Sequence, residues 1–252
     1  MNLSIDVGNT EITFGLYKNN SLVLKFGLST TLNKKEILKS LYSNLSKEDI
    51  EQIQTITLSS VVPYLKKEFK KIAKNNFGVN IKIVNAFTKG LGLKYLIKDP
   101  SFIGSDLIVN SYAAKSIFKT TCIICDFGTA TTIQLVGGDG TFYGAAIAPG
   151  LQVSMDALVL KAAKIDNFTL NIPKSVIGIE TNEALNSGIV GGSGIMIDGF
   201  IKKIKTDYKN IDKNFISILT GGFSSLIKMK TKEIDYVQPN LTLDGLNMLA
   251  TK

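Results

Sequence analysis

The feature that most constrains the fold is a short pattern that occurs twice, about half a chain apart. An apolar run near the N-terminus leads into DVGNT (Asp6 to Thr10), and the same plan returns in DFGTAT (Asp126 to Thr131). Each copy predicts a strand, an Asp-x-Gly turn with hydroxyl or amide side chains, and a second strand rich in β-branched residues. Two matched copies predict a duplicated α/β fold of two similar halves, residues 1–118 and 119–252, with a central cleft.

The rest of the chain fits this division. In the first half, a tight turn at Lys18 to Ser21 separates strands, and the strand ITLSSVV follows a helix that carries Leu41 and Leu45. Helices are also predicted for a basic segment at 64–74 and for Leu107 to Phe118. The second half is helix-rich after its hairpin and contains one more strand, FISILT, which ends at Gly221-Gly222.

Composition narrows the class of protein. The chain contains no apolar stretch of about 18 residues without a charge, and no basic segment precedes an apolar run at the N-terminus. We therefore expect a cytoplasmic protein with no membrane partner. The two cysteines, Cys122 and Cys125, lie in a strand-like run, so a disulfide framework is excluded by count and Cys125 is read as core.

The basic residues exclude several kinds of chemistry. All 29 are lysine, and histidine, arginine and tryptophan are absent. Triads that depend on histidine are thus impossible, and any general base must be a carboxylate, lysine, tyrosine or cysteine. The net charge is +8, but the lysines are scattered over polar helix faces, so we expect solvated surface and no nucleic acid partner.

The two Asp-x-Gly turns are suited to binding phosphate. Glycine brings backbone N–H groups close to a ligand, and the hydroxyl and amide side chains add donors. An aspartate beside phosphate is reasonable only if it holds a cation or the waters around one. A single such turn would be read as an ordinary β-turn, but two matched copies favour phosphate binding.

Two further segments leave alternatives open. Gly104-Ser105-Asp106 precedes a helix, where Ser105 or Asp106 could be an N-cap or Asp106 could accept a proton from an attacking alcohol. Gly221-Gly222 after a strand could border an adenosine pocket or simply end the strand.

The order of these motifs resembles the type III pantothenate kinases, members of the acetate and sugar kinase, heat-shock chaperone and actin superfamily. The shared landmarks run through the whole chain: DVGNT, SSVVP, Pro-x-x-x-Gly-x-Asp, DFGTATT, Gly-x-x-I-x-PGL, IG-x-x-T, TGG and LTL-x-GL. The resemblance implies a duplicated ribonuclease H-like fold, a homodimer, and ATP-dependent phosphorylation of pantothenate at the start of coenzyme A synthesis. It also implies a monovalent cation, K⁺ or NH₄⁺, and we expect Mg²⁺ as well.

The resemblance also implies roles for individual positions. Asp106 matches the catalytic base, and Asp126 matches the ligand of the monovalent cation. The first ATP phosphate loop comprises Asp6, Val7, Gly8, Asn9, Thr10, Glu11, Ile12 and Thr13, and Thr129 contacts ATP from the second. The substrate side comprises Gly104, Ser105, Asp106, Leu107 and Thr181.

Two departures from the family pattern fall on the substrate side. Leu107 stands where the family has arginine, and Ile97 stands where it usually has tyrosine, with Tyr95 two residues earlier. Leucine cannot replace the directional, charge-assisted bonds of a guanidinium. The alternatives are therefore compensation by a lysine, a kinase for another small alcohol, or a nucleotide-binding accessory or regulatory protein with weak or lost activity.

Overall fold

The computed structural model describes residues 1–162, 165 and 168–250, which form two compact units. Unit 1 contains Met1–Gly92, Lys98–Ala113 and the C-terminal helix, and unit 2 contains Leu93–Ile97 and Ala114–Asn240. The units therefore differ from a simple division of the chain at 118/119. The difference arises because the C-terminal helix returns to the first sheet, against which it packs.

Unit 1 is built on a five-stranded sheet with the order β3-β2-β1-β4-β5. Strands β1, β2 and β3 are antiparallel, whereas β4 and β5 run parallel to β1. The strands are β1 (Asn2–Val7), β2 (Glu11–Lys18), β3 (Ser21–Ser29), β4 (Thr55–Ser60) and β5 (Ile81–Ile83). The predicted turn at Lys18 to Ser21 is confirmed: Asn19 and Asn20 adopt φ angles of 50° and 64°, typical of a type I′ hairpin.

Unit 2 repeats this plan with one added edge strand, in the order β11-β10-β7-β8-β9-β6. Strands β7, β8 and β9 are antiparallel, and β10 and β11 run parallel to β7. The strands are β6 (Lys94–Tyr95), β7 (Thr121–Phe127), β8 (Ala130–Val136), β9 (Thr141–Pro149), β10 (Phe215–Thr220) and β11 (Tyr236–Val237). The shared order of five strands confirms the predicted duplication of a ribonuclease H-like unit.

The helices pack on these sheets through their apolar faces. In the basic helix α3, Leu65, Phe69 and Ile72 are buried while most of its lysines are exposed, as predicted. The helices are α1 (Lys34–Asn44), α2 (Lys47–Gln52), α3 (Pro63–Ile72), α4 (Ser105–Phe118), α5 (Leu151–Lys161), α6 (Thr181–Asn186), α7 (Gly192–Asp207), α8 (Ser224–Lys228) and α9 (Leu241–Ala250). Helical turns at Ala73–Phe77 and Ser187–Gly191 extend α3 and join α6 to α7.

Each unit has its own apolar core. In unit 1, Phe14 stacks on Phe26 with ring centroids 4.8 Å apart. In unit 2, Phe127 at the end of β7 shares a buried cluster with Ile197 and Ile201 of α7. Buried β-strands thus fix the positions at which the two Asp-x-Gly turns begin.

Candidate active site

The first Asp-x-Gly turn is a hairpin loop of three residues between β1 and β2. The Gly8 N–H donates to the Glu11 carbonyl at 2.9 Å, which closes the loop. Asn9 and Thr10 are exposed at its tip, whereas Val7 and Ile12 are fully buried in the core. Within the segment from Asp6 to Thr13, only the loop residues and the polar side chains can therefore reach a ligand.

Thr30, just after β3, holds this loop in place. Its backbone N–H donates to the Thr10 carbonyl at 3.0 Å, and its hydroxyl donates to the Gly8 carbonyl at 3.0 Å. Thr30 is buried, so both bonds are shielded from water. They orient the loop carbonyls toward Thr30.

The second turn is a tighter hairpin between β7 and β8. The Gly128 N–H donates to the Ala130 carbonyl at 3.1 Å, and Thr129 is exposed at the tip. Behind the loop, the Gly150 N–H donates to the Thr129 carbonyl at 3.1 Å. A side chain at Gly150 would collide with the carbonyl oxygens of Gly128 and Thr129, so this close backbone approach requires glycine.

Oxygen atoms surround the end of β7. Asp126 pairs with Thr132 on β8 and with Thr220 on β10, so the three side chains lie on one face of the sheet. Gly221, with φ +90°, presses its backbone against the Asp126 carboxylate and the Phe127 carbonyl, with no room for a side chain. Thr132 is nine-tenths buried, and among the described residues its hydroxyl has no hydrogen-bond partner.

This arrangement fits a cation that prefers oxygen ligands. A carboxylate and a hydroxyl stand on directly opposed residues, whose β-carbons in such pairs are about 5 Å apart. Carboxylate, hydroxyl and carbonyl oxygens are ligands of hard cations, whereas a buried hydroxyl without a partner is costly. Asp126 and Thr132 are thus the residues of unit 2 that could hold the implied monovalent ion.

Asp106 lies in the first turn of α4. Its carboxylate accepts the Leu107 N–H at 2.9 Å, and the Gly104 carbonyl accepts the Ile108 N–H at 3.2 Å. Ser105 and Asp106 are therefore inside the helix and neither is its N-cap. Burial raises the pKa of the Asp106 carboxyl, and the backbone hydrogen bond from Leu107 offsets part of that effect.

Ser105 is attached to β4. Its hydroxyl oxygen accepts the Ser60 N–H at 2.8 Å and the Ser59 hydroxyl at 3.1 Å. Ser59 pairs with Asp6 across the parallel strands β4 and β1. The structure thus brings the start of α4 and the first hairpin to the same edge of the unit 1 sheet.

Thr181 is exposed and begins α6, on an element separate from the second hairpin. A cavity of about 480 Å³ lies beside this helix. It is lined by Pro173, Lys174, Ser175, Val176, Ile177, Gly178, Ala184, Ser187, Gly188, Gly191, Gly192, Ile195 and Lys230. Gly221 and Gly222 are not among these residues, so the cavity is not the pocket suggested for that turn.

The remaining residues discussed from the sequence are Tyr95, Ile97 and Cys125, and their surroundings differ in burial. Tyr95 on β6 packs against Phe142 with ring centroids 6.3 Å apart, and Ile97 is 38% exposed. Cys125 is fully buried, and burial raises the pKa of its thiol to about 12, so the interpretation of this residue as core is confirmed.

Thr30 did not stand out in the sequence, and Ser59 and Gly150 appeared only within the landmarks SSVVP and PGL, with no role of their own. Each acts through a long-range hydrogen bond or backbone contact. Single serines and threonines outside a repeated motif carry no sequence signal for such contacts.

The two repeated sheets and their Asp-Gly hairpins define the actin-like class of kinase folds. Solved structures with this fold include a protein assigned as a 2-dehydro-3-deoxygalactonokinase from Sinorhizobium meliloti, with TM-score 0.59, 11% identity, and coverage of 99% of this chain and 96% of that one. A protein described as belonging to the Baf family of transcriptional activators, from Campylobacter jejuni, has TM-score 0.55 and 17% identity, with coverage of 99% and 97%.

The sequence identifies the family within this class. Residues 2–203 match the family model described as type III pantothenate kinase. Curated relatives called type III pantothenate kinase include one from Finegoldia magna, 35% identical and covering 98% of this chain and 95% of its own. Another, from a Roseiflexus species, is 35% identical with coverage of 99% and 98%. The chain belongs to the type III pantothenate kinase family.

Proposed function

We propose that the protein transfers the γ-phosphoryl group of ATP to the hydroxyl of pantothenate, giving 4′-phosphopantothenate, the first step of coenzyme A synthesis. The observation that carries this proposal is the pair of equivalent Asp-Gly hairpins, one in each unit, in a chain of the type III pantothenate kinase family. The strand ends supply the site, and the fold alone would not specify the activity.

In this proposal the two hairpins bind the phosphates. The segment Asp6 to Thr13 presents the exposed tip residues Asn9 and Thr10, and the second loop presents Thr129. Backbone N–H groups and hydroxyls that are already held in position can stabilise charge on a transferring phosphoryl group without reorganising. The anchors at Thr30 and Gly150 provide that fixed position.

The cations follow from the same geometry. Mg²⁺ is usually held by one or two carboxylates together with substrate phosphates, and within the residues that the structure describes no cluster of three or more acidic or thiol groups could form a dedicated metal site. We assign the monovalent ion, K⁺ or NH₄⁺, to Asp126, with the hydroxyl of Thr132 as a second oxygen donor. When bound, these ions would neutralise negative charge on the phosphates and so offset the repulsion between the phosphates and the nearby carboxylates.

Asp106 is the proposed proton acceptor. The pantothenate hydroxyl loses its proton to the Asp106 carboxylate as its oxygen attacks the γ-phosphorus, and ADP leaves with the bridging oxygen. Burial raises the pKa of this carboxyl, which makes its ionised form a stronger base than an exposed aspartate. The chain has no histidine that could take this role instead.

The substrate side is where a different alcohol could be accommodated. Gly104, Ser105, Leu107 and Thr181 occupy the implied substrate positions, and Leu107 lacks the charge of the family's arginine. A kinase for another small alcohol is therefore the second candidate. A nucleotide-binding accessory role would instead predict ATP binding without turnover.

Exposed apolar side chains in unit 2 support a homodimer. Leu160 is 79% exposed, Val176 74%, Ile177 77%, Ile179 91% and Ile195 62%. Large apolar side chains at these exposures favour burial against another protein surface. Sedimentation equilibrium should give twice the monomer mass, and Ile179→Asp with Ile195→Asp should shift it to monomer.

We also propose a cytoplasmic location. The helical stretch Thr181–Asp207 is long and apolar enough to cross a membrane by composition, with one third of its most apolar window buried. Its side chains Ile189, Val190, Ile197 and Ile201 are buried in the unit 2 core, as in the core helix of a globular enzyme.

A coupled assay of ADP release tests the function. The purified chain with ATP, Mg²⁺ and K⁺ should release ADP when pantothenate is added. Turnover with other small alcohols in place of pantothenate would favour the second candidate. ATP binding by calorimetry with no turnover on any alcohol would favour the accessory role.

A further inference from the structure

The hydroxyl of Ser105 accepts two hydrogen bonds from β4. It lies 2.8 Å from the Ser60 backbone nitrogen and 3.1 Å from the Ser59 hydroxyl, and Ser105 is only 6% exposed. Ser59 is fully buried. Both lone pairs of the Ser105 hydroxyl are therefore used within unit 1, a role in the fold that the substrate contact implied by the family resemblance does not include.

These bonds fix the helix at a particular place. Ser59 is the register partner of Asp6, and β4 ends one residue later. Tying the first residue of α4 to Ser59 and Ser60 therefore holds the helix start beside the end of β1, where the first hairpin begins. The corresponding partner of Asp126 in unit 2 is Thr220, which is followed by Gly221 where β4 has Ser60.

Asp106 is the next residue along the chain. Its carboxylate is directed back to the Leu107 N–H, so its position depends on where the first turn of α4 lies. Ser60 is itself held, because its hydroxyl donates to the Val62 carbonyl at 3.0 Å. A continuous series of buried hydrogen bonds thus joins the β4 end to the residue that precedes Asp106.

We propose that Ser105 and Ser59 are positioning residues that hold the Asp106 carboxylate in line with the substrate hydroxyl. This inference rests on the proposed function, in which Asp106 accepts the proton. Loss of the connection should misplace the base while leaving both substrates bound. A misplacement of about 1 Å can lower turnover by up to about 10²-fold, so kcat should respond and KM should not.

The test compares Ser105→Ala, Ser59→Ala and the double variant, with Ser101→Ala as a matched control at an exposed serine four residues upstream. We expect Ser105→Ala to lower kcat about ten-fold or more, with KM for ATP and pantothenate within two-fold. Ser59→Ala, which keeps the bond from Ser60, should lower kcat less. The double variant should resemble Ser105→Ala, because both single changes remove the same interaction.

Other outcomes overturn the proposal. A higher KM for pantothenate at unchanged kcat would make Ser105 a substrate contact. A lower melting temperature at unchanged kcat would make both serines structural only. If Ser105→Ala does not fold, Ser59→Ala decides, and unchanged kcat in that variant would refute positioning. Asp106→Asn is assayed in parallel: full turnover there overturns the role of the base itself, whereas lost turnover there with normal Ser105→Ala kinetics overturns only the positioning role.

Discussion

The two hairpins share a turn and a sheet position, but they are held in different ways. The first is pinned by the side chain and backbone of Thr30, and its sheet edge is connected through serines to α4 and Asp106. The second is pinned by the backbone of Gly150, and Gly221 lies against Asp126 and Phe127. Duplication thus supplied two similar strand ends, one connected to the partly buried carboxyl group of Asp106 and the other to a cluster of oxygen atoms.

Removing the carboxylate near the first hairpin should have the largest effect. Asp106→Asn is expected to lower kcat by about 10² to 10⁴-fold, the usual range for a general base, with ATP affinity retained. Steady-state kinetics and calorimetric titration with ATP measure the two quantities. Unchanged turnover would show that the proton is accepted elsewhere.

The pH profile adds a second criterion for Asp106. A base works in its deprotonated form, so kcat/KM should fall as the pH drops through its pKa. Since burial raises that pKa, the acid limb should lie above the ordinary range of aspartate, which is near pH 3.9 in model peptides. Residual turnover of Asp106→Asn should lack this limb.

The two anchors can be compared directly. Gly150→Ala places a methyl group against the carbonyls of Gly128 and Thr129, so it should distort the second loop and destabilise the fold by about 1–3 kcal/mol, the usual cost of overpacking. Thr30→Val removes one side-chain hydrogen bond and should cost about 0.5–1.5 kcal/mol. For each variant, denaturant unfolding measures the change in stability, and KM for ATP measures the effect on nucleotide binding. Equal effects would contradict the difference in anchoring.

Leu107, in the first turn of α4, should give a smaller, opposite effect. If Leu107 is the result of compositional drift, Leu107→Arg should lower KM for pantothenate about ten-fold, as a charge-assisted contact contributes ~1.5–3 kcal/mol and ~1.4 kcal/mol equals one decade. KM for ATP should not change. If neither this variant nor the double variant with Ile97→Tyr improves pantothenate binding while both stay folded, a different substrate or an accessory role becomes the better explanation.

The smallest effect is expected at the end of β7, beside the second hairpin. Thr132→Val replaces a buried hydroxyl without a hydrogen-bond partner by a methyl group of similar size, so stability should be unchanged or slightly higher. We expect the melting temperature of the wild-type protein to rise when K⁺ replaces Na⁺. In Thr132→Val this rise should be smaller, and more K⁺ should be needed for half-maximal activity. Thr131→Val is the matched control, since that hydroxyl donates to Pro149 and should affect stability without affecting the ion. Equal K⁺ responses in both variants would exclude Thr132 as a ligand.

The repeated motif made much of the fold predictable. Apolar runs before Asp6 and Asp126 fixed β1 and β7, and the hairpin residues that follow fixed β2 and β8. The short edge strand β6 was missed, because two residues in Lys94–Tyr95 carry no periodicity. Helix α4 begins two residues before the predicted Leu107, as helix ends depend on bonds that a pattern does not contain.

The site was predictable only where a motif marked it. Asp6, Asp126 and Asp106 each stand in a recognisable sequence motif, but the bonds from Ser59 to Ser105 and from Thr30 to the first loop join positions 46 and 22 residues apart. The absence of arginine and histidine could be read directly and limited the choice of base to few groups. Which hydroxyls would be engaged and which left without a partner required the register of the sheets.

The C-terminal helix has a consequence for how the protein is made. Helix α9 packs on β1, and Asn2 donates a side-chain hydrogen bond to Asn247, 245 residues later. Gly245 lies so close to Val109 and Ala113 that a side chain there would not fit. Unit 1 therefore cannot complete its core until α9 has been synthesised, although its strands emerge from the ribosome first. Because β5 ends at Ile83 and α9 ends at Ala250, the completed N-terminal sheet waits roughly 8–33 s for its last helix at about 5–20 residues per second, and until then the apolar face that α9 covers has no intramolecular partner there.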